Sequence, residues 1–188
     1  SGGIAEYSSH NLDIITFKYI VKNGDNTHKL AFNENLINLN GGKITDNITP
    51  PNNVDLIIPD FPIDIIIDTI NPEIISITPS FGDTLNSIEV DQEQTIVIVT
   101  SGVEDGQTVT VNLNGTNYSA NVYTDKATVT VIVAQLQNLT DKQPYSITAN
   151  VTDKAGNIAS TTIDNFTVDT TKPEITSISL GWGEVLNR

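Results

Sequence analysis

Thr108-Val109-Thr110-Val111-Asn112-Leu113-Asn114-Gly115 decides the class of fold. Its apolar residues fall on every second position, the period of a strand with one buried face. It ends on Asn-Gly, the dipeptide that tolerates the two positive φ values of a tight hairpin turn. The same alternation runs outward in both directions. Thr95–Thr100 precedes it, Ala127–Val133 and Tyr145–Thr152 follow, and Ile158–Val168 comes after the turn Asp153-Lys154-Ala155-Gly156-Asn157. These runs, bounded by Gly, Asn and Asp, read as strands. The 188 residues include 26 Ile, 15 Val and 24 Thr, whose branched Cβ suits a pleated surface. A helical pattern is confined to Ala134–Leu139, enough for one turn.

Short strands with a turn signal about every 8–12 residues predict an antiparallel sandwich. Seven of them in about 100 residues predict an immunoglobulin-like domain, all-β, and here without an inter-sheet disulfide because the chain has no Cys. The missing Cys also excludes thiol catalysis and thiolate metal sites. The chain carries 23 acidic and 9 basic side chains, for a net charge of −14. The basic residues are scattered singly, so no cluster exists to bind phosphate, and neither nucleic acid nor an anionic membrane suits this balance. It favours cations. The apolar runs, such as Ile65-Ile66-Ile67 and Ile96-Val97-Ile98-Val99, reach only three or four residues, far short of a membrane span. With no Met and Ser1 first, the chain is expected to be processed or to be a window on something longer.

An internal repeat organises the chain. Asp68-Thr69-Ile70-Asn71-Pro72-Glu73-Ile74-Ile75-Ser76-Ile77 recurs 101 residues on as Asp169-Thr170-Thr171-Lys172-Pro173-Glu174-Ile175-Thr176-Ser177-Ile178. The match continues through Phe81-Gly82-Asp83-Thr84-Leu85-Asn86 and Trp182-Gly183-Glu184-Val185-Leu186-Asn187. A period near 100 residues is one sandwich per repeat. The expected division is a partial module at 1–69 lacking its first strands, a complete module at 70–169, and a link plus the opening strand of a third at 170–188. The Pro in each Asp-Thr-x-x-Pro-Glu link fixes φ and removes a donor, which predicts tandem sandwiches joined by short, stiff links.

The acidic residues have a pattern. If strands of the complete module run alternately up and down, the loops at Ser101–Gly106, Thr124–Lys126 and Asp153–Asn157 share the pole at which the chain enters. Asp68, Glu104, Asp105 and Asp153 are then expected at one junction, with Asp169 at the corresponding place on the next. Ca²⁺ takes six to eight oxygen ligands, mostly carboxylates and carbonyls, so such a set suits it better than Mg²⁺ with its strict octahedron. Asp is equally common in turns for backbone reasons alone. On the residues, both readings stand.

The chain resembles the tandem bacterial immunoglobulin-like domains of giant surface adhesins exported by type I secretion. The resemblance rests on Ser101-Gly102-Val103-Glu104-Asp105-Gly106-Gln107-Thr108-Val109-Thr110-Val111, on Val151-Thr152-Asp153-Lys154-Ala155-Gly156-Asn157, and on Thr167-Val168-Asp169-Thr170-Thr171-Lys172-Pro173. It covers residues 70–188. Residues 1–69 are similar to a related repeat of such proteins through Gly2-Gly3-Ile4-Ala5-Glu6-Tyr7-Ser8-Ser9, Phe17-Lys18-Tyr19-Ile20-Val21, Gly24-Asp25-Asn26 and Leu39-Asn40-Gly41-Gly42-Lys43-Ile44-Thr45-Asp46. There the usual Asp-Ala-Gly-Asn is replaced by Asp46-Asn47-Ile48-Thr49. The resemblance implies non-catalytic extender modules on a bacterial cell surface, stiffened by Ca²⁺ at their links, whose partners are neighbouring modules of the same chain.

Two other classes of function compete with the extender. A ligand-binding adhesive module would call for a surface aromatic cluster or long variable loops, and the longest loop here is ordinary. A strand-donating subunit, pairing with other copies, would use the incomplete ends. An accessory domain of a secreted enzyme is a third class, without support in these residues. Six Asn-x-Ser/Thr sequons are close to the roughly four that composition alone produces. His10 and His28 sit in polar, turn-like stretches. Trp182 aligns with Phe81 and reads as a packing aromatic. Asp60, Asp64 and Asp68 alternate with apolar residues over Pro59–Ile70, as in an edge strand guarded by charge.

Overall fold

Two units form, Ser1–Ile70 and Asn71–Arg188. The computed structural model describes residues 3–11, 14–31, 37–55, 65–159, 161–179 and 181.

In the first unit β1 (Glu6–Asn11) and β2 (Ile14–Lys18) make an antiparallel hairpin whose residues are all exposed. Further on, β3 (Asn26–Thr27) pairs with β4 (Ile67–Asp68). One hydrogen bond lies beyond that pair, and a separate short pairing joins the segments around residues 44 and 54. Leu30 N–H donates to Ile65 O at 2.8 Å, Val54 N–H to Ile44 O at 2.9 Å, and Thr45 bridges Asn53. Among the described residues of this unit, Ile67 is the buried hydrophobic residue.

The second unit is a two-layer sandwich. It runs through β5 (Glu73–Pro79), β6 (Thr84–Asn86), a 3-10 turn at Glu89–Asp91, β7 (Gln94–Ser101), β8 (Thr108–Leu113), β9 (Thr116–Asn121), β10 (Lys126–Val131), the one-turn helix α1 (Val133–Leu136), β11 (Pro144–Asn150) and β12 (Thr162–Asp169). One sheet is ordered β10-β7-β5, the other β6-β12-β11-β8-β9. All neighbours are antiparallel except β6, which runs parallel to β12 with Leu85 opposite Val168. The opening segment therefore divides, with β5 on one sheet and β6 on the other. This is the immunoglobulin-like arrangement, with the β8-β9 hairpin extending the larger sheet.

Alternation explains the layers. Val109, Val111 and Leu113 of β8 are buried, as are Ile96 and Ile98 of β7, Val129 and Val131 of β10, and Ile147 and Ala149 of β11. Phe81 and Phe166 meet edge to face at 4.9 Å inside this core, and Tyr145 stacks on Phe166 at 5.8 Å. The Tyr145 hydroxyl accepts a hydrogen bond from Thr140 N–H at 2.8 Å, the tyrosine corner of such sandwiches. The Asn114-Gly115 turn has φ of 47° and 79°, as a type I′ hairpin requires. Thr124-Asp125 makes a second such turn at 50° and 60°, without any glycine.

The strands differ from the sequence reading mainly at their ends. The last begins at Thr162 rather than Ile158, because Thr152 bridges Ile158 and Ala159 N–H donates to Val151 O, so 151–159 forms its own closed loop. Residues 171–179, where an opening strand is predicted, are exposed and form no ladder among the described residues. Trp182, and Asp60 and Asp64 of the predicted edge strand, lie outside the described residues.

Candidate functional site

Three loops of the sandwich interlock at the pole where its first strand begins. Gly102 adopts φ +72°, and a Cβ there would lie 3.6 Å from Pro72 Cα, so the proline packs on a bare backbone. In the same loop the carboxylate of Glu104 accepts Lys154 N–H at 2.8 Å, and that of Asp105 accepts Thr124 N–H at 2.8 Å. Gly106 N–H donates to Val122 O at 2.9 Å, and Val122 N–H to Gln107 O at 2.8 Å. Two exposed acids thus tie the 101–107 loop to both of its neighbours.

Asp153 differs, being 3% exposed. Its Oδ1 accepts Asn157 N–H and its Oδ2 accepts Asn157 Nδ2, both at 2.8 Å, while its own N–H donates to Asn157 O at 3.0 Å. A buried carboxylate is costly unless hydrogen-bonded, and here the asparagine supplies both donors. The loop is closed at its mouth by this pair.

The first unit contains the same device at longer spacing. Asp46 N–H donates to Asn52 O at 3.1 Å, Asp46 Oδ1 accepts Asn52 N–H at 2.8 Å, and Oδ2 accepts Asn52 Nδ2 at 2.9 Å. These bonds, led by the Asn52 amide, hold the Asp46 carboxyl below its ordinary pKa. The asparagine that closes this loop is Asn52, six residues after its aspartate where Asn157 is four after Asp153.

The two link aspartates are also used alike. Asp68, on β4, accepts Ile70 N–H at 3.0 Å, and Asp169, at the end of β12, accepts Thr171 N–H at 3.1 Å. Each closes a turn on the residue two positions ahead. The threonines that follow are both anchored. Thr69 Oγ1 accepts Gly24 N–H and donates to Asp25 O, each at 2.9 Å. Thr170 N–H and Oγ1 donate to Asp141 Oδ1 at 2.7 and 3.0 Å, and Thr171 Oγ1 donates to Asp141 Oδ2 at 2.8 Å. The Thr170 amide, followed by the Thr171 hydroxyl, lowers the Asp141 pKa. Asp25, in the turn that holds Thr69, is lowered too, first by the Tyr19 hydroxyl and then by the Lys22 amide.

Of the acids expected at the junction, Glu104, Asp105 and Asp153 share this loop cluster. Asp68 belongs to the first unit, and Asp169, expected at the next junction, ends β12 at the opposite pole of the same sandwich. Their side chains offer only oxygen donors, the ligand type that Ca²⁺ takes. Among the described residues no three or more His, Cys, Asp or Glu form a group able to hold a metal. Sequence reasoning missed Asp141 and Asn52. No sequence signal marks Asp141, and Asn52 is marked only by an Asp-Asn pair six positions apart, wider than the Asp-Ala-Gly-Asn pattern.

No model of a known protein family matches the chain. Halomucin of Haloquadratum walsbyi is 42% identical over 82 residues, which are 43% of this chain and 1% of halomucin, so the match spans a very small part of that protein. Among solved structures, a bacterial immunoglobulin-like domain from the M. primoryensis ice-binding adhesin is similar at 24% identity, covering 50% of this chain and 96% of that one, with a TM-score of 0.37. Another, described as a Ca²⁺-stabilized adhesin that helps an Antarctic bacterium reach out and bind ice, is similar at 22% identity over 69% of this chain and 31% of that one, with a TM-score of 0.41.

Proposed function

We propose that this chain is a stretch of structural extender from a bacterial cell-surface adhesin, in which immunoglobulin-like modules follow one another through a repeated link and carry no catalysis. One observation carries the reading. The two copies of the link, at Asp68 and Asp169, have the same local wiring, an aspartate turn followed by an anchored threonine. A segment that recurs in sequence and in hydrogen bonding on leaving each unit is what an array of modules needs.

Ca²⁺ is the proposed stiffener. Glu104, Asp105 and Asp153 would hold it from the module and Asp68 from the preceding link, with Asp169 in that role at the next junction. The ion supplies positive charge among carboxylates in a chain of net charge −14 and bridges oxygens from separate segments. Neighbouring modules are the partners, and the cell exterior is the place where millimolar Ca²⁺ suits sites of modest affinity.

The test is a pair of thermal melts, with Ca²⁺ and with a chelator. Binding to the folded state alone raises stability by mass action, so the calcium melt is expected several degrees higher. Superimposable melts would remove calcium from the account.

A further inference from the structure

We infer that Asp141 is the positioning residue that seats the outgoing link on its module, and that it does so without a metal. The link leaves the sandwich after β12, at the pole opposite the loop cluster. Here one half-buried carboxylate accepts three bonds from two consecutive link residues, Thr170 through its amide and hydroxyl and Thr171 through its hydroxyl. Bonds to an ionised acceptor are shorter and stronger than neutral ones, and three on one side chain fix the direction of the segment as well as its position.

The carboxylate is itself held from both sides. Lys142 N–H donates to Val168 O at 2.7 Å and Val168 N–H to Gln143 O at 3.1 Å, so the turn bearing Asp141 is laddered to the end of β12. The Tyr145 hydroxyl takes the Thr140 amide just before it. The clasp is thus built on the tyrosine corner, a part of the frame whose ring stacks on the core residue Phe166.

The first unit arrives at the same solution with different atoms. Thr69, the repeat counterpart of Thr170, is seated on the turn that precedes β3, and β3 pairs with β4 as the exit strand. There the backbone carbonyl of Asp25 accepts the hydroxyl, while the Asp25 carboxylate is occupied by Tyr19 and Lys22 N–H. The shared element is the threonine hydroxyl directly after the link aspartate. The second position of the Asp-Thr motif is therefore an anchor rather than a spacer, and the aspartate-bearing turn that opens the exit strand's partner is its socket.

This clasp requires no ion, so its failure and that of the calcium reading are separable. The experiment is amide hydrogen exchange by NMR on the whole 188-residue chain, in Ca²⁺ and in chelator, for the wild type, Asp141→Ala and Thr171→Val. The Thr170 amide is expected to be protected equally in both solutions. Asp141→Ala should speed its exchange by roughly tenfold or more, with β11 amides still protected, since a hydrogen bond to a charged group is lost. Thr171→Val, which keeps the shape and removes one of three bonds, should speed it by about two- to threefold. A Thr170 amide that exchanges freely in the wild type overturns the inference. So does one protected only when Ca²⁺ is present, or one unaffected by Asp141→Ala. Should Asp141→Ala lose protection throughout β11 and β12, Thr171→Val decides: faster exchange supports the clasp and an unchanged rate overturns it.

Discussion

The loops 46–52 and 153–157 are closed by the same three hydrogen bonds between an aspartate and an asparagine, yet they sit in different surroundings. In the second unit the loop grows out of a packed frame. Val151 and Ala159 on either side are 2% and 3% exposed, and Asp153 is buried with them. In the first unit Asp46 is exposed, Ile44 is half-buried, and Val54 is 48% exposed. The spacing differs as well, with Asn52 six residues after its aspartate and Asn157 four after. The pair of side chains therefore sets the closure, while the apolar neighbours set how much depends on it.

That comparison can be broken in three places. The largest effect is expected from Asn157→Ala, which removes the side-chain amide from Oδ2 of a buried carboxylate and leaves the backbone bond to Oδ1 in place. Leaving a buried acceptor unsatisfied costs about 1–3 kcal/mol, more for a charged group. Urea melts of the second unit should show a loss in that range, and a neutral result would mean that water replaces the asparagine freely. Asn52→Ala removes the same bond at an exposed aspartate, where solvent can take over. Its melt should lie close to the wild type, and a loss matching that of Asn157→Ala would erase the distinction between the loops.

The smallest effect is a titration. The folded pKa of Asp46 lies below its unfolded value, so its bonds contribute stability that is complete above about pH 3.9 and is lost as pH falls through the folded pKa. The Asn52 amide should report this in an NMR pH series with a midpoint under about 3.9. A midpoint at or above the ordinary carboxylate value would show that the asparagine does not favour the ionised form.

Much of the frame was legible in the sequence because it depends on local patterns. The strict alternation in Thr108–Leu113 and the Asn114-Gly115 turn specify a hairpin without help from the rest of the chain. So do the runs that became β7, β10 and β11. What escaped depends on distant partners. Three-residue β6 pairs in parallel with β12, some 80 positions away, and nothing in Thr84-Leu85-Asn86 announces that. The return strand Thr116–Asn121 is built from Thr, Asn, Tyr, Ser and Ala, a weak β signal carried by its neighbour β8. At the site, the link repeat pointed to Asp68 and Asp169, because identity at constant offset is visible in one dimension. Asp141 was invisible since its role is set by the two threonines that β12 delivers to it.

The two links make the wider point. Both use their aspartate for a turn and their threonine for an anchor, so part of what the acidic motif encodes is backbone geometry. The proposed calcium must act through the remaining oxygens and through Glu104, Asp105 and Asp153. Long-wavelength anomalous diffraction from crystals grown with Ca²⁺ tests this most directly. The account predicts a calcium peak within coordination distance of carboxylate oxygens in the 101–107 and 153–157 loops, about 2.3–2.6 Å. A map with these carboxylates well ordered and no peak beside them would contradict it.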